Sequence, residues 1–160
     1  YVLNKKVVAL AANGVANYYE HENIAHLSLY FEDNCFAHFH VNWTSPVKIR
    51  RVLLGGKNKM LLWDDMLPTE KIKVYDAGIE IDNDEQIHKL LVQYRMGDMF
   101  SPKLIETEAL ALGVKEFLAS IREKRKPLTS AIEGLKVVKI LEAADVSIKN
   151  KGKLVEITDF

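Results

Sequence analysis

The first part of the chain alternates between apolar and polar positions. From Val7 to about Tyr94, residues rich in Val, Ile, Leu, Phe and Tyr alternate or form short runs between turn signals, which is typical of β-strands. The pattern predicts strands at residues 6–12, 24–31, 35–44, 48–54, 60–63, 71–75 and 87–92. Glu32, Asp33 and Asn34 separate the second strand from the third. Because short polar residues tolerate the left-handed conformation, they predict a tight hairpin.

The period changes to that of a helix from Ile105 onward. One face of this segment carries a stripe of apolar residues, which predicts an amphipathic helix packed on the sheet: Leu110, Val114, Phe117, Leu118 and Ile121. Ser130 and Glu133 have capping-box spacing and predict the start of the last helix, which ends at residues 150–152 before a short strand at 154–157. Strands followed by helices predict an α+β fold, an open, predominantly antiparallel β-sheet with helices packed on one face.

The other face of the predicted sheet carries amphipathic side chains. Alternation places these residues opposite the core: His26, Ser28, Tyr30, Phe36, His38 and His40. Such residues are typical of interfaces, so we expect a homo-oligomer through the open sheet face. His38 and His40 share one side of their strand, but the pattern offers no third, acidic ligand. Interface histidines are therefore favoured, and no metal site is predicted.

Composition limits the kinds of partner. A chain of 160 residues that is 48% hydrophobic is large enough to bury a core. Lys plus Arg and Asp plus Glu both total 22, so no net charge favours nucleic acid or an anionic membrane. Cys35 is the single cysteine, no apolar run reaches the ~18 residues of a membrane span, and no signal peptide is evident. We expect a cytoplasmic protein. Because the sequence starts at Tyr1, we also expect a fragment of a longer one.

Residues 94–102 form the strongest candidate for a ligand-binding loop. Tyr94, Arg95 and Asp98 supply an aromatic ring, a guanidinium and a carboxylate around Gly97, a residue able to adopt positive φ. An equally good alternative is an approach to a helix in which Asp98 caps and Arg95 is solvated. Lys48 and Arg50 share one side of their predicted strand. They are candidates for anion contacts, with exposed strand cations as the alternative.

Catalytic machinery is not evident in these residues. No Ser, Cys or Thr occupies a strained glycine turn, and Cys35 within a predicted strand is better explained as a small buried hydrophobe. No phosphate-binding glycine motif is found either, since residues 55–58 are predicted to form a hairpin turn. The sequence therefore predicts no catalytic residue and no cofactor-binding residue.

Several motifs, in their order along the chain, resemble the C-terminal domain of the Gfo/Idh/MocA oxidoreductases. The resemblance covers nearly the whole sequence, and its loop of Tyr94, Arg95, Gly97 and Asp98 is similar to members acting on nucleotide-linked amino sugars. The other motifs that carry it are Asn42-Trp43, Pro46, Lys48, Arg50, Gly55, Trp63-Asp64-Asp65, residues 70–75, Gly78, Pro102, Glu108-Ala109-Leu110, Phe117, Ile121, residues 127–129, Gly134-Leu135, Val137-Val138, residues 141–144 and Ser147.

The resemblance implies a single domain, residues 1–160, from a larger NAD(P)-dependent sugar or nucleotide-sugar dehydrogenase. This domain would form the wall of the substrate site and the oligomer interface. The absent N-terminal nucleotide-binding domain would hold NAD or NADP and the catalytic residues, so the isolated chain would bind no cofactor and be inactive. Tyr94, Arg95 and Asp98, with Lys48 and Arg50, would contact the sugar. The alternative is a standalone α+β module that dimerises through its sheet and binds a small molecule or a protein.

Overall fold

The computed structural model describes residues 2–18, 20–80, 93–95, 97–105 and 107–158. The chain divides into two compact units, residues 1–46 together with 109–160 (unit 1) and residues 47–108 (unit 2). In the described residues the elements are β1 (Val7–Val15), β2 (Ile24–Phe31), β3 (Phe36–Asn42), β4 (Arg51–Gly55), β5 (Met60–Asp64), β6 (Ile72–Tyr75), β7 (Gly78–Glu80), β8 (Gln93–Arg95), β9 (Met99–Phe100), α1 (Ala109–Arg122), α2 (Ala131–Lys149) and β10 (Val155–Glu156).

Unit 1 contains an antiparallel sheet in the order β10-β1-β2-β3. The predicted hairpin between β2 and β3 is confirmed, because Asp33 and Asn34 have φ of 62° and 54° and the Phe31 N–H donates to the Cys35 carbonyl over 2.9 Å. Cys35 therefore lies in the turn just before β3, and its predicted place inside the strand is wrong. The short polar residues at the turn accept the positive φ that β-branched or bulky residues resist.

The core of unit 1 lies between this sheet and α2. Its buried members are Val7, Leu10, Ala12, Leu29 and Ala144. Leu27, Phe31 and Ala37 pack against them from the sheet, and Ile140, Ala143 and Ile148 from α2. The predicted core face of β2 is thus confirmed, and so is the packing of a helix on one face of an antiparallel sheet, which defines the α+β class.

Both ends of α2 are fixed by local hydrogen bonds. The Ser130 hydroxyl accepts from the Glu133 N–H over 3.4 Å, as the sequence predicts, whereas the Glu133 carboxylate pairs with Lys136 at 2.9 Å. At the other end the Gly152 N–H donates to the Ser147 carbonyl over 2.9 Å, and Lys151 adopts a φ of 57°. This is the geometry of a Schellman cap, which turns the chain back towards β10.

Ser147 joins α2 to the edge of the sheet. Its hydroxyl oxygen accepts from the Ala12 N–H over 2.8 Å, and its O–H donates to the Lys153 carbonyl over 2.6 Å. β10 pairs with Ala9 and Leu10 of β1 and is too short to reach Ala12. The Ser147 hydroxyl therefore accepts the hydrogen bond from the Ala12 N–H that a longer β10 could otherwise accept.

The apolar stripe predicted for the first helix is present in α1 but is exposed. Its residues Leu110, Val114, Phe117, Leu118 and Ile121 are 49% to 73% exposed. The helix begins at Ala109, and Ile105, where the helical period was predicted to begin, is 92% exposed. The expectation that this stripe packs on the sheet is not met among the described residues.

Ion pairs of Arg125 with Glu116 and Glu123 hold the segment after α1 against the helix. Arg125 donates two hydrogen bonds to the Glu116 carboxylate, of 2.6 and 2.9 Å, and a third to Glu123. The Leu128 N–H also donates to Glu116 over 3.0 Å. The Arg125 hydrogen bonds, followed by that from Leu128, lower the pKa of Glu116 to about 2. The positive charge of Arg125 thus has a structural role at the end of α1.

Unit 2 contains an antiparallel sheet in the order β4-β5-β6-β9 and a separate ribbon of β7 and β8. Val52, Trp63 and Ile72 form one cross-strand row, and the next row on the same face is Leu54, Leu61, Val74 and Phe100, so that face is wholly apolar. β4 begins at Arg51, so the predicted strand start at Lys48 is wrong. The predicted strand at residues 87–92 lies outside the described residues.

Candidate functional site

The structure places Tyr94 and Arg95 of the candidate loop in β8, and Gly97 and Asp98 beside the end of β6. Tyr75 pairs with Met99 at that end of the sheet, and the next residue, Asp76, donates its N–H to the Asp98 carbonyl over 2.8 Å. Asp98 itself is exposed. The backbone of the loop is therefore fixed against β6, while the carboxylate of Asp98 remains accessible to a ligand.

Gly97 is required at its position by close approach of the backbone. A Cβ on Gly97 would lie 2.5 Å from the carbonyl oxygen of Asp76 and 3.0 Å from its carboxylate. The φ of Gly97 is not in the left-handed region, so the sequence-based explanation of this glycine by positive φ is wrong. The absence of a side chain, and not conformational freedom, lets the loop approach Asp76.

Gly78 plays a matching part in the β7–β8 ribbon. Gly78 is the register partner of Arg95. A Cβ on Gly78 would lie 2.5 Å from the Lys57 carbonyl oxygen, in the turn of the β4–β5 hairpin. The backbone of Arg95, two residues before Gly97, is therefore paired with Gly78, and the β4–β5 turn packs against that same glycine. Ile79 pairs with Tyr94. The side chains of Tyr94 and Arg95 lie outside the described part of the structure.

Arg50 lies at the opposite end of the sheet, and Lys48 lies outside the strands, three residues before β4 begins. Arg50 and Lys71 both pair with the Asp65 carboxylate, at 3.5 and 3.3 Å. From Lys71 to Asp76 the chain advances five residues, which is roughly 16 Å along a strand. The antiparallel register thus separates Arg50 from the loop. The structure does not bring the five predicted substrate-binding residues together. Asp98 lies three residues after Arg95 on the loop side of the sheet, whereas Arg50 lies at the other end.

An ion pair between the exposed Arg51 and the buried Asp64 lies at the same end of the sheet as Arg50. The Arg51 Nε donates to the Asp64 carboxylate over 2.6 Å, and the Met66 N–H donates to its other oxygen over 3.0 Å. Asp64 is 3% exposed, and the hydrogen bond from Arg51 keeps the pKa of its carboxyl below the ordinary 3.8. Because Arg51 and Asp64 are register partners, their pairing secures the β4–β5 ladder and is best understood as structural.

Sequence reasoning missed the role of Asp76, whose only sequence signal was its position at a strand end. It identified Gly78 solely through the family resemblance. Among the described residues no group of three or more His, Cys, Asp and Glu side chains is arranged to hold a metal ion. The helices described here are also too short or too polar to cross a bilayer.

The fold defines the class of protein that this chain resembles. Its antiparallel sheets and C-terminal helices match Gfo/Idh/MocA-type oxidoreductases, so the resemblance inferred from the motifs is confirmed at the level of fold. No family model matches the sequence, and no curated protein matches it significantly.

Individual solved structures give the likeness its detail. The aldose–aldose oxidoreductase of Caulobacter crescentus matches 96% of this chain with a TM-score of 0.71 and 16% identity. The UDP-N-acetylglucosamine 3-dehydrogenase GnnA of Acidithiobacillus ferrooxidans matches 91% with a TM-score of 0.73 and 16% identity. The WlbA dehydrogenase of Bordetella pertussis, solved with NADH and UDP-GlcNAcA, matches 96% with a TM-score of 0.63 and 14% identity. The chain spans 42%, 41% and 40% of these proteins respectively.

Proposed function

We propose that this chain is the substrate-binding and oligomerisation domain of an NAD(P)-dependent sugar or nucleotide-sugar dehydrogenase. The observation that carries the proposal is the fold match over nearly the whole chain to oxidoreductases more than twice its length. Two of the similar structures, WlbA and a levoglucosan dehydrogenase, were solved with NADH and a sugar compound. In this proposal the remainder of the parent supplies the nucleotide-binding domain and the catalytic residues.

The nicotinamide cofactor, NAD or NADP, is assigned to that remainder. The 160 residues contain no glycine-rich dinucleotide fingerprint, so this chain offers no loop for a pyrophosphate. When bound, the cofactor supplies hydride transfer to or from a sugar carbon. This chain's own residues would bind and orient the sugar.

The last two residues of β8, Tyr94 and Arg95, together with Asp98 provide the proposed sugar contacts. Arg95 carries a planar guanidinium that can hold a carboxylate or phosphate by two parallel hydrogen bonds. Tyr94 can stack on the sugar or donate a hydrogen bond, and Asp98 can accept hydrogen bonds from hydroxyls. The contacts at Asp76 and Gly97 fix the loop backbone before any ligand arrives, which lowers the entropy lost on binding.

Arg50 is assigned a structural role because Asp65 already pairs with it. Lys48 is exposed and makes no ion pair with any residue that the structure describes. Since it also lies outside the strands, before β4 begins, we remove Lys48 and Arg50 from the proposed substrate contacts. Lys48 then provides a matched control for Arg95.

The sheet face opposite α2 is the proposed oligomer interface. The Tyr30 and Phe36 rings pack on it with centroids 5.4 Å apart, and Phe36 and His38 with centroids 6.1 Å apart. Phe36 is 52% exposed. Replacing Phe36 by Glu would bury an unpaired carboxylate in a sheet-to-sheet dimer, so we expect F36E to sediment as a monomer. Ile132→Glu, on exposed α2 surface, should leave the oligomer intact; an oligomer unaffected by F36E would place the interface elsewhere.

The exposed stripe of α1 is the proposed contact for the rest of the parent. Five apolar residues on one helical face form a larger apolar surface than an isolated soluble domain usually shows. A cytoplasmic location completes the proposal, and the free thiol of Cys35 fits a reducing compartment.

A second candidate function is a standalone module that dimerises through its sheet and binds a small molecule or a protein. The exposed aromatic face of β2 and β3 favours it as much as it favours an oligomeric enzyme. The two candidates differ in the gene that encodes the chain. A glycine-rich βαβ unit encoded directly before Tyr1 identifies the dehydrogenase, and an initiator codon there identifies the module.

The substrate assignment is tested by Arg95→Ala in the intact parent. Loss of a charge-assisted hydrogen bond costs about 1.5–3 kcal/mol, so kcat/KM for an anionic sugar should fall roughly ten- to a hundredfold. KM for the cofactor and the unfolding temperature should change little. Lys48→Ala, which removes a cation before β4, should behave as wild type. Unchanged activity with lowered stability in R95A would assign Arg95 to a structural ion pair.

A further inference from the structure

Two histidines face each other across the open side of the unit 1 sheet. His26 on β2 and His40 on β3 are direct register partners, and their ring centroids are 4.4 Å apart at an interplanar angle of 79°. Both side chains are exposed. The antiparallel ladder fixes the separation of their Cα atoms, so both imidazoles are held within reach of one small ligand.

The nitrogens of this pair are available. Neither ring forms a hydrogen bond or ion pair with any residue in the described part of the chain. Each neutral imidazole therefore keeps one nitrogen with a free lone pair. Their neighbour in the cross-strand row is Asn13 on β1, and His38 lies two residues along β3. No side chain in the described ranges competes for these nitrogens.

We propose that His26 and His40 form a chelating site for a divalent transition-metal ion of the Cu²⁺, Ni²⁺ and Zn²⁺ group. Imidazole is a preferred ligand of these ions, and a site without carboxylates discriminates against Mg²⁺ and Ca²⁺. The sequence favoured interface histidines because no third ligand was evident. The observed contact between the two rings makes a two-ligand site possible, because two imidazoles suffice to chelate a metal ion at a protein surface.

The rest of the coordination sphere is open. No third His, Cys, Asp or Glu completes the group among the described residues, so the remaining positions go to water. This is the arrangement of an exchangeable surface site, in contrast to a structural zinc site with four protein ligands. Cu²⁺ is expected to bind most tightly because it stands highest in the stability order for nitrogen ligands.

The test is titration of the 160-residue chain with CuCl₂, followed by calorimetry and by electron paramagnetic resonance. We expect saturable binding with a spectrum split by two nitrogen ligands. Loss of an outer-shell partner alone costs about 10–100-fold in metal affinity, so His26→Asn and His40→Asn should each weaken binding at least tenfold. His38→Asn and His21→Asn are the controls and should leave the affinity unchanged.

The proposal fails if H26N and H40N bind Cu²⁺ as tightly as wild type, or if H38N weakens binding as much as they do. Because all four side chains are exposed, we expect every variant to fold, and far-ultraviolet circular dichroism checks this directly. The test uses neither cofactor nor sugar, so its outcome does not depend on the proposed dehydrogenase chemistry. Because His26 and His40 lie on the sheet face proposed above as the oligomer interface, the titration is made on monomeric chain separated by gel filtration.

Discussion

Replacement of Ser147 by Ala should destabilise unit 1 more than replacement of Ser120 by Ala. Ser147 is fully buried, and its side chain bridges α2 to the main chain of Ala12 and Lys153. The substitution removes one oxygen atom and leaves the helix-forming tendency of the residue intact or improved. Any loss of stability therefore reports the two hydrogen bonds.

The magnitude follows from the surroundings of the two partners. Ala12 is fully buried, and its N–H would lose its acceptor, at a cost of about 1–3 kcal/mol. Lys153 is exposed, so its carbonyl can bind water and would lose only about 0.5–1.5 kcal/mol. The sum is about 1.5–4.5 kcal/mol. For a chain of this length it corresponds to a fall in melting temperature of roughly 3–18 °C.

Urea denaturation followed by circular dichroism measures this difference, with Ser120→Ala as the matched control. Ser120 is also a buried helical serine, but its hydroxyl donates to the Phe117 carbonyl of its own helix, over 2.7 Å. That bond adds little to helix stability, so S120A should stay within about 0.5 kcal/mol of wild type. Equal losses in the two variants would show that burial of the hydroxyl, and not its tertiary hydrogen bonds, sets the cost. A neutral S147A would refute the reasoning outright.

Two further predictions concern Glu116 and Gly97. Hydrogen bonds from Arg125 lower the pKa of Glu116 from 4.5 to about 2, so its carboxylate stabilises the fold fully above pH 4.5 and progressively less as the pH falls towards 2. The stability gap between wild type and Glu116→Gln, measured by chemical denaturation, should therefore close in acid; a gap independent of pH would contradict this. Gly97→Ala forces the loop away from Asp76, so the Asp76 amide should lose protection against hydrogen exchange. Gly113→Ala meets nothing within 4 Å in α1 and should instead stabilise by about 0.5–1 kcal/mol; an unchanged Asp76 amide in G97A would contradict the close-approach argument.

The parts of the fold that sequence predicted well are those set by neighbouring residues. The turn at Asp33 and Asn34 depends on the tolerance of short polar residues for positive φ, and the start of α2 depends on Ser130 reaching an amide three residues on. Both interactions join residues that are only a few positions apart in the sequence. Periodicity likewise assigned the core face of β2, because one buried face imposes alternation on its own strand.

The parts that escaped prediction depend on residues far apart in the chain. Ser147 and Ala12 are hydrogen-bonded although they lie 135 positions apart in the sequence. No local pattern indicates that β10 is too short to pair with Ala12. The reason for Gly97 lies in Asp76, twenty-one positions earlier and just after the end of β6. For α1 the amphipathic pattern was correct, but a stripe of apolar residues does not state what covers it, and among the described residues the stripe stays exposed.

The candidate site was predicted in part. The loop carrying Tyr94, Arg95 and Asp98 remains a prediction, now with a fixed backbone around it. The separation of Arg50 from this loop follows from the antiparallel order of β4, β5 and β6. Side-chain chemistry suggested that all five residues act together, whereas strand direction decides which residues can meet.

Unit 2 occupies one uninterrupted stretch of sequence, whereas unit 1 is assembled from the stretches on either side of it. None of the residues that form the buried cluster of unit 1 comes from positions 47–108. A substitution or an insertion within residues 47–108 therefore leaves every member of that cluster in place, so we expect the core of unit 1 to tolerate variation in unit 2.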